Sequence, residues 1–140
     1  MSNPGFSIEH YPSLASTNDL VRERALRGEP EGLVVRAAIQ TKGRGRHGRT
    51  WVSPAGNLHV SMLLRPRRPL AEAATLSLVV GLGLVEALQG EAFAPEMKWP
   101  NDVMVGDAKL AGILLESVVV DGGAPAIVAG IGVNVATCPK

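Results

Sequence analysis

Glycine and proline interrupt this chain so often that it can form only short helices and strands. Its 140 residues include 16 glycines and 10 prolines, distributed along the whole length. Glycine adopts turn conformations, and proline lacks the amide hydrogen that helices and sheets use, so both residues end regular structure. A chain of this length buries one sizeable core. We therefore expect a single domain, spanning 1–140, of mixed α and β structure.

Hydrophobic periodicity then assigns the elements. Apolar residues at helical spacing predict helices at about 18–27 and 70–89. Strands are predicted where β-branched residues or period-two alternation dominate, at 33–39, 58–64, 103–105, 109–115 and 126–135. Turn signals at 106–107 and 121–123 connect neighbouring strands in antiparallel order. The predicted fold class is α+β, with a mixed, largely antiparallel sheet and both helices on one face.

Composition and charge exclude several classes of function. The chain has 14 lysines and arginines against 13 aspartates and glutamates, and this net charge of +1 creates no global attraction to nucleic acid or to a membrane surface. Residues 1–11 lack the pattern of a secretory signal, and the apolar runs are too short to span a bilayer. The single cysteine, Cys138, excludes an internal disulfide and a cysteine-cluster zinc site. We expect a soluble, cytoplasmic protein.

Glycines and fixed cations alternate in the segment 40–51. Glycine allows backbone amides to turn toward an anion, and guanidinium groups bind phosphate or carboxylate oxygens in pairs. The segment lacks the Lys-Ser/Thr ending of a Walker A loop, and no helical pattern follows it directly. Composition alone therefore leaves open a phosphate-holding loop, a solvated basic hairpin and a nucleic-acid contact.

Other segments also combine polar groups with glycine or proline. The segment 98–102 predicts a plain turn, although a carboxylate such as Asp102 beside a phosphate can hold Mg²⁺. Lys109 begins an apolar strand, where its ammonium group either points toward a ligand near Gly112 or reaches solvent from the strand end. Glycines inside the strand pattern at 130–135 indicate either close packing against the backbone or a bulge.

Taken together, these segments resemble the catalytic domain of the biotin protein ligases, a family related in fold to the lipoate ligases and the class II aminoacyl-tRNA synthetases. The matching motifs, in the family's order, are Ser16-Thr17-Asn18, Gln40, Gly43-Arg44-Gly45-Arg46 with Gly48, Arg49 and Trp51, Lys98-Trp99-Pro100-Asn101-Asp102, Lys109-Leu110-Ala111-Gly112-Ile113-Leu114, and Gly130-Ile131-Gly132 with Asn134. A chance match of several motifs in one order is much rarer than a single match. The resemblance implies a catalytic domain at 1–140 without the family's C-terminal β-barrel or the N-terminal helix-turn-helix of its repressor members.

The resemblance also implies a reaction in two steps. The carboxylate of biotin attacks the α-phosphorus of ATP, which gives biotinyl-5′-AMP and pyrophosphate. A lysine of a biotin carboxyl carrier protein then attacks the activated carbonyl. The implied small molecules are ATP, biotin and Mg²⁺, and the implied macromolecular partner is the carrier protein. DNA binding is not expected, and a homodimer is possible.

Position within the matched motifs assigns roles to single residues. The biotin-binding residues would be Ser16, Thr17, Asn18, Gln40, Gly43, Arg44, Gly45, Arg46, Lys109 and Gly112. The nucleotide-binding residues would be Arg46, Arg49, Trp51, Asn101, Asp102 and Asn134, with Asp102 also a ligand to Mg²⁺. Lys109 would be the main catalytic cation, and Arg44 and Arg46 would close over the reacting carboxylate and phosphate.

Alternative functions remain open. A lipoate or octanoate ligase would share the fold and the adenylation chemistry but not the Gly-Arg-Gly-Arg loop or the spacing of 98–102. From other classes, the chain could be a biotin-binding module without catalytic activity or a basic-loop RNA-binding module. Titrations with biotin, lipoate and a single-stranded oligonucleotide separate these alternatives.

Overall fold

The strands of this protein assemble into a mixed sheet. The computed structural model describes residues 5–72, 74–123 and 125–139. The strands are β1 (Ser7–Leu14), β2 (Leu33–Gln40), β3 (Leu58–Leu64), β4 (Glu96–Lys98), β5 (Asp102–Val105), β6 (Ala108–Val118) and β7 (Ala126–Val133). The helices are α1 (Thr17–Leu26) and α2 (Ala74–Leu88), with 3-10 turns at Arg46–Gly48 and Leu70–Glu72. In the described residues the strands form a seven-stranded sheet with the order β1-β2-β3-β7-β6-β5-β4, in which β1 and β2 run parallel and the other neighbours run antiparallel.

The α+β class and the largely antiparallel sheet are confirmed, and every predicted strand is present. β1 and β4 were not predicted, because both lie at the edges of the sheet and neither contains a fully buried residue. The second helix begins at Ala74 rather than at Leu70, since 70–72 form a separate turn in which the Glu72 amide donates to the Pro69 carbonyl; residue 73 lies outside the described residues. Among the residues that the structure describes, no helix is long and apolar enough to cross a membrane.

Helix α1 begins and ends where its sequence predicts. The side chain of Ser16 accepts a hydrogen bond from the Asp19 amide at 3.3 Å and so caps the first turn. Gly28 follows the last turn with a φ of 87°, a left-handed conformation that glycine adopts at low cost. Because Leu14 at the end of β1 pairs with Gln40 at the end of β2, the start of α1 lies beside Gln40.

The helices pack against opposite faces of the sheet, and the prediction that both cover one face is wrong. Val21 of α1 shares a buried core with Val128 of β7, whereas Leu84 of α2 packs against a second core that contains Val133 of β7. Val128 and Val133 lie an odd number of positions apart in one strand, so their side chains point to opposite faces. The near-continuous apolar run of β7 is typical of a strand that is covered on both sides.

Glycines leave part of the α1 face without side chains. Gly130 and Gly132 of β7 alternate with residues of the α2 core and therefore lie on the α1 face. Gly112 of β6 pairs directly with Gly132, and Leu114 pairs with Gly130. The neighbouring glycines of β6 and β7 form a depression in this face, between the start of α1 and the β5–β6 hairpin.

Candidate active site

The depression is the floor of a cavity that collects nearly all of the predicted site residues. Its volume is about 560 Å³. The predicted residues that line it are Ser16, Thr17, Asn18, Gln40, Arg44, Gly45, Arg46, Arg49, Trp51, Asn101, Asp102, Lys109, Gly112 and Asn134. Gly43 does not line the cavity; it packs against the Trp51 backbone, where an added Cβ would overlap the Trp51 carbonyl oxygen. Segments far apart in sequence thus meet at one site.

A network of hydrogen bonds fixes the end of the cavity beside α1. The amide of Thr17 donates to Oε1 of Gln40 at 2.8 Å, and its hydroxyl donates to the same oxygen at 3.0 Å. The Thr17 and Ser61 hydroxyls are 2.7 Å apart, and that of Ser61 donates to Oδ1 of Asn18. Gln40 in turn donates to Ser53 at 2.9 Å. The side chains at this end are therefore held in one orientation before any ligand binds.

The indole ring of Trp51 lies against the glycine floor. A Cβ on Gly132 would be 2.4 Å from Nε1 of this ring, and one on Gly112 would be 2.8 Å from Cζ3. The Nε1 atom is buried and has no hydrogen-bond partner within the described part of the chain. The sequence predicted either close packing or a bulge at the glycines of β7, and close packing is confirmed.

Substituting Gly132 with alanine should displace Trp51, because the new methyl group would overlap the indole ring. We expect a loss of about 1 to 3 kcal/mol in the free energy of unfolding, typical of an overpacked interior. Urea unfolding and the tryptophan emission spectrum measure the effect. The matched control is Gly83→Ala in α2, where an added Cβ meets no atom within 4 Å. Unchanged stability and emission in Gly132→Ala would rule out this packing.

An irregularity in the sheet directs Lys109 into the cavity. Val103 pairs with Ala111 but Met104 pairs with Lys109, which leaves one additional residue in β6 and marks a β-bulge. The Lys109 ammonium group lies 2.9 Å from Oδ1 of Asp102 and 5.2 Å from the centre of the Trp51 ring. Its side chain is 41% exposed. Lys109 is therefore a preorganised cation at the edge of the glycine floor rather than a solvated strand end.

The predicted metal ligand has a different partner. Asp102 is paired with Lys109, and neighbouring Asn101 donates to the Ile113 carbonyl oxygen at 3.1 Å. Within 5–72, 74–123 and 125–139, no group of three or more His, Cys, Asp or Glu side chains is arranged to hold a metal ion. The described residues do not form a metal site on their own, and Mg²⁺ binding at Asp102 stays a prediction.

The side chain of Asn134 is hydrogen-bonded to the backbone of Lys109, and Asn57 is hydrogen-bonded to Asn134. The Asn134 side chain donates to the Lys109 carbonyl oxygen at 3.0 Å, which anchors the backbone of the bulge. Asn57 is buried, and its Oδ1 accepts hydrogen bonds from the amides of Val135, Ala136 and Thr137 at 2.9, 2.9 and 3.1 Å. It also donates to Oδ1 of Asn134 at 3.4 Å. Sequence reasoning missed Asn57, because an asparagine after glycine predicts only a turn.

The cations of the basic loop, defined as 43–49, differ in their partners. The Arg44 guanidinium group bonds both oxygens of Glu116 at 3.0 Å and also Oδ1 of Asp19. These interactions, led by the hydrogen bonds to Glu116, hold the pKa of Arg44 above its usual range. Arg46 and Arg49 are exposed, line the cavity and make no ion pair with any residue that the structure describes. Asp19 and Glu116 were not predicted to belong to the site.

Comparison with known proteins identifies relatives of this chain. The chain is 48% identical over 108 residues to a biotin–[acetyl-CoA-carboxylase] ligase of Paracoccus denitrificans, an alignment that covers 75% of this chain and 45% of the relative. It is 43% identical over 135 residues to the bifunctional ligase/repressor BirA of Escherichia coli, covering 94% of this chain and 41% of the relative. The chain thus spans less than half the length of these curated relatives.

A solved structure shares the fold as well as the sequence. The biotin protein ligase from Aquifex aeolicus, in complex with biotin and ATP, superposes with a TM-score of 0.81 at 33% sequence identity; the match covers 96% of this chain and 54% of that one. The profile described as the biotin/lipoate A/B protein ligase family matches residues 11–134. This span includes the polar network beside α1, the basic loop, Lys109 and the glycine floor, and the chain belongs to the biotin/lipoate A/B protein ligase family.

Proposed function

We propose that this chain binds biotin and ATP and forms biotinyl-5′-AMP, as the adenylating part of a biotin protein ligase. The observation that carries the proposal is the polarity of the cavity: a neutral hydrogen-bonding end at Thr17 and Gln40 and a cationic end at Lys109, with arginines of the basic loop also in the lining. Biotin has the same polarity, with an uncharged ureido ring at one end and a carboxylate at the other. The relative from Aquifex aeolicus was solved with both biotin and ATP, which supports the choice of substrates.

At the neutral end, the fixed network selects the ring of the substrate. A ureido group offers one carbonyl acceptor and two amide donors, and the side chains of Ser16, Thr17 and Gln40 provide complementary groups in a fixed orientation. The missing side chain at Gly130 makes room for Asn18, which lines this end of the cavity beside Thr17. Lipoate has no ureido group, so this end favours biotin over lipoate.

At the cationic end, charge governs the chemistry. The biotin carboxylate and the ATP triphosphate repel each other, and cations between them offset this repulsion. Lys109 is held there by Asp102, while Arg46 and Arg49 approach from the basic loop. A carboxylate oxygen forms a bond to the α-phosphorus as the bond to the bridging oxygen breaks, and pyrophosphate leaves with that electron pair. Trp51 and Asn134 would contact the adenine.

The second step completes the proposed activity. A neutral amine of a carrier-protein lysine attacks the carbonyl carbon of the adenylate, an amide bond forms, and AMP leaves. The biotin carboxyl carrier protein is therefore the proposed acceptor. Mg²⁺ is proposed to accompany the ATP phosphates, because this ion commonly combines substrate phosphates with one or two carboxylates.

Paired titrations by calorimetry test the proposal. We expect biotin to bind, and a non-hydrolysable biotinyl-adenylate analogue to bind at least about tenfold more tightly, a difference of ~1.4 kcal/mol, because only the analogue carries a phosphate for the basic loop. Equal affinities for biotin and the analogue would show that the basic loop does not bind the phosphate. Tighter binding of lipoate would favour the lipoate ligase alternative, and binding of a single-stranded oligonucleotide without biotin binding would favour the RNA-binding one.

A further inference from the structure

We propose that Asp19 and Glu116 are positioning residues that close the basic loop over the cavity by holding Arg44. In this arrangement Arg44 anchors the loop, and the cations that contact the substrate phosphates are Arg46 and Lys109. The identity of the substrate rests on the proposed function, whereas the closure itself rests only on contacts within the chain. We call the three side chains of Arg44, Asp19 and Glu116 the latch.

The latch connects the basic loop to two other elements of the fold. Arg44 belongs to the basic loop, Asp19 to the first turn of α1, and Glu116 to the second half of β6. Glu116 is 72 positions from Arg44 in sequence, yet it forms two parallel hydrogen bonds of 3.0 Å with the guanidinium group. Such fork-like pairing fixes the direction of the arginine as well as its distance. Closure of the loop therefore has one preferred geometry.

Glu116 is itself held by the network beside α1. Its Oε1 accepts a hydrogen bond of 2.8 Å from Nδ2 of Asn18, and Oδ1 of Asn18 accepts one from Ser61. Ser61 is fully buried and contacts the hydroxyl of Thr17. Side-chain contacts thus connect the proposed biotin end with the basic loop. The side chains that form this end therefore also hold the carboxylate that binds Arg44.

Charge divides the arginines of the loop into two roles. Two carboxylates face the single positive charge of Arg44, so the latch carries a net negative charge and cannot offset the charge of a phosphate. Arg46 is exposed, lines the cavity and is not paired with any described residue. The amide of Gly45 donates to the Arg49 carbonyl at 2.7 Å, and that of Trp51 donates to the Gly43 carbonyl at 2.9 Å. These two hydrogen bonds fix the base of the basic loop. Contacts that hold Arg44 therefore also hold Arg46 at the cavity.

Hydrogen exchange in the ligand-free 140-residue chain tests the latch directly. Glu116→Gln removes the charge but keeps an oxygen that can accept from Asn18. We expect the amides of Gly45, Arg49 and Trp51 to exchange about tenfold faster in this variant, as for loss of a partly exposed charged hydrogen bond. The matched control is Glu23→Gln, which removes an exposed carboxylate on α1 paired with Arg27. Exchange elsewhere in the sheet and the melting temperature should stay nearly unchanged in both variants.

A double-mutant cycle separates a latch from general destabilisation. Arg44→Met should accelerate exchange as much as Glu116→Gln does, and the combined variant should be no faster than Arg44→Met alone. Dissociation of the biotinyl-adenylate analogue should accelerate about tenfold in the same variants, while the association rate changes less. Additive effects, or unchanged exchange in both single variants, would overturn the latch. If the unmodified chain binds no analogue, the proposed function fails, and the exchange measurements still decide the latch.

Discussion

The rate of pyrophosphate release from ATP and biotin should fall about a hundredfold to a thousandfold when Lys109 is replaced by alanine. The ammonium group is fixed by Asp102 and by the Trp51 ring, so it needs no rearrangement when charge develops on the reacting oxygens. Biotin binding should change little, because its ring is expected to be held by Thr17 and Gln40 at the other end of the cavity. The effect would therefore appear in the rate constant and not in the affinity for biotin.

Pyrophosphate release and analogue binding together decide the role of Lys109. The matched control is Lys42→Ala, which removes an exposed lysine that does not line the cavity. Because the chain spans less than half the length of its curated relatives, binding provides a readout that does not require turnover. In Lys109→Ala the biotinyl-adenylate analogue should lose much more affinity than biotin does. Equal affinity for the analogue in variant and unmodified chain would exclude Lys109 as the cation beside the phosphate.

Asn57→Ala should lower the free energy of unfolding by about 2 to 3 kcal/mol, because it leaves backbone amides without their acceptor. The buried side chain accepts from Val135, Ala136 and Thr137, and it holds the segment after β7 against the sheet. The loss extends to the site, since Asn134 depends on Asn57 and anchors the backbone of Lys109. Urea unfolding at constant temperature measures the change.

The matched variant for Asn57 is aspartate. Asn57→Asp keeps an oxygen that can accept from the amides after β7 but removes the donor to Asn134 and to the Thr137 carbonyl. We expect a smaller loss of stability than in the alanine variant, because hydrogen bonds from amides stabilise a carboxylate. Equal losses in the two variants would show that the acceptor role of Asn57 is unimportant.

Caps and turn residues in the sequence predicted the elements whose ends are fixed by neighbouring residues. The Ser16 cap and Gly28 bound α1, and the Gly106-Asp107 turn fixes the β5–β6 hairpin, so these elements appear where they were expected. The face on which each helix packs was not predictable in this way. Periodicity shows that a strand has two sides, but not which helix covers which side. That choice depends on the order of the strands, which places β7 between β3 and β6.

The candidate site also contains both residues that the sequence predicted and residues that it did not. Family motifs predicted the residues that line the cavity, such as Lys109 and Trp51, and the structure brings them together. Glu116 and Asp19 were missed because a carboxylate on a strand or in a first helical turn is ordinary by itself. Their significance comes from Arg44, which lies 72 and 25 positions away in sequence. Contacts over such distances follow from the completed fold rather than from any local pattern.

Strand β7 contributes to both sides of the molecule at once. Gly130 and Gly132 form part of the floor of the cavity. Ile131 and Val133, which alternate with them, pack in the core beneath α2. Only one layer of backbone separates the two environments. A change of side-chain volume at Ile131 must therefore be absorbed either by α2 or by a shift of the neighbouring glycines toward Trp51. The side chains that this part of the core accepts are thus limited by the shape of the cavity on the opposite face.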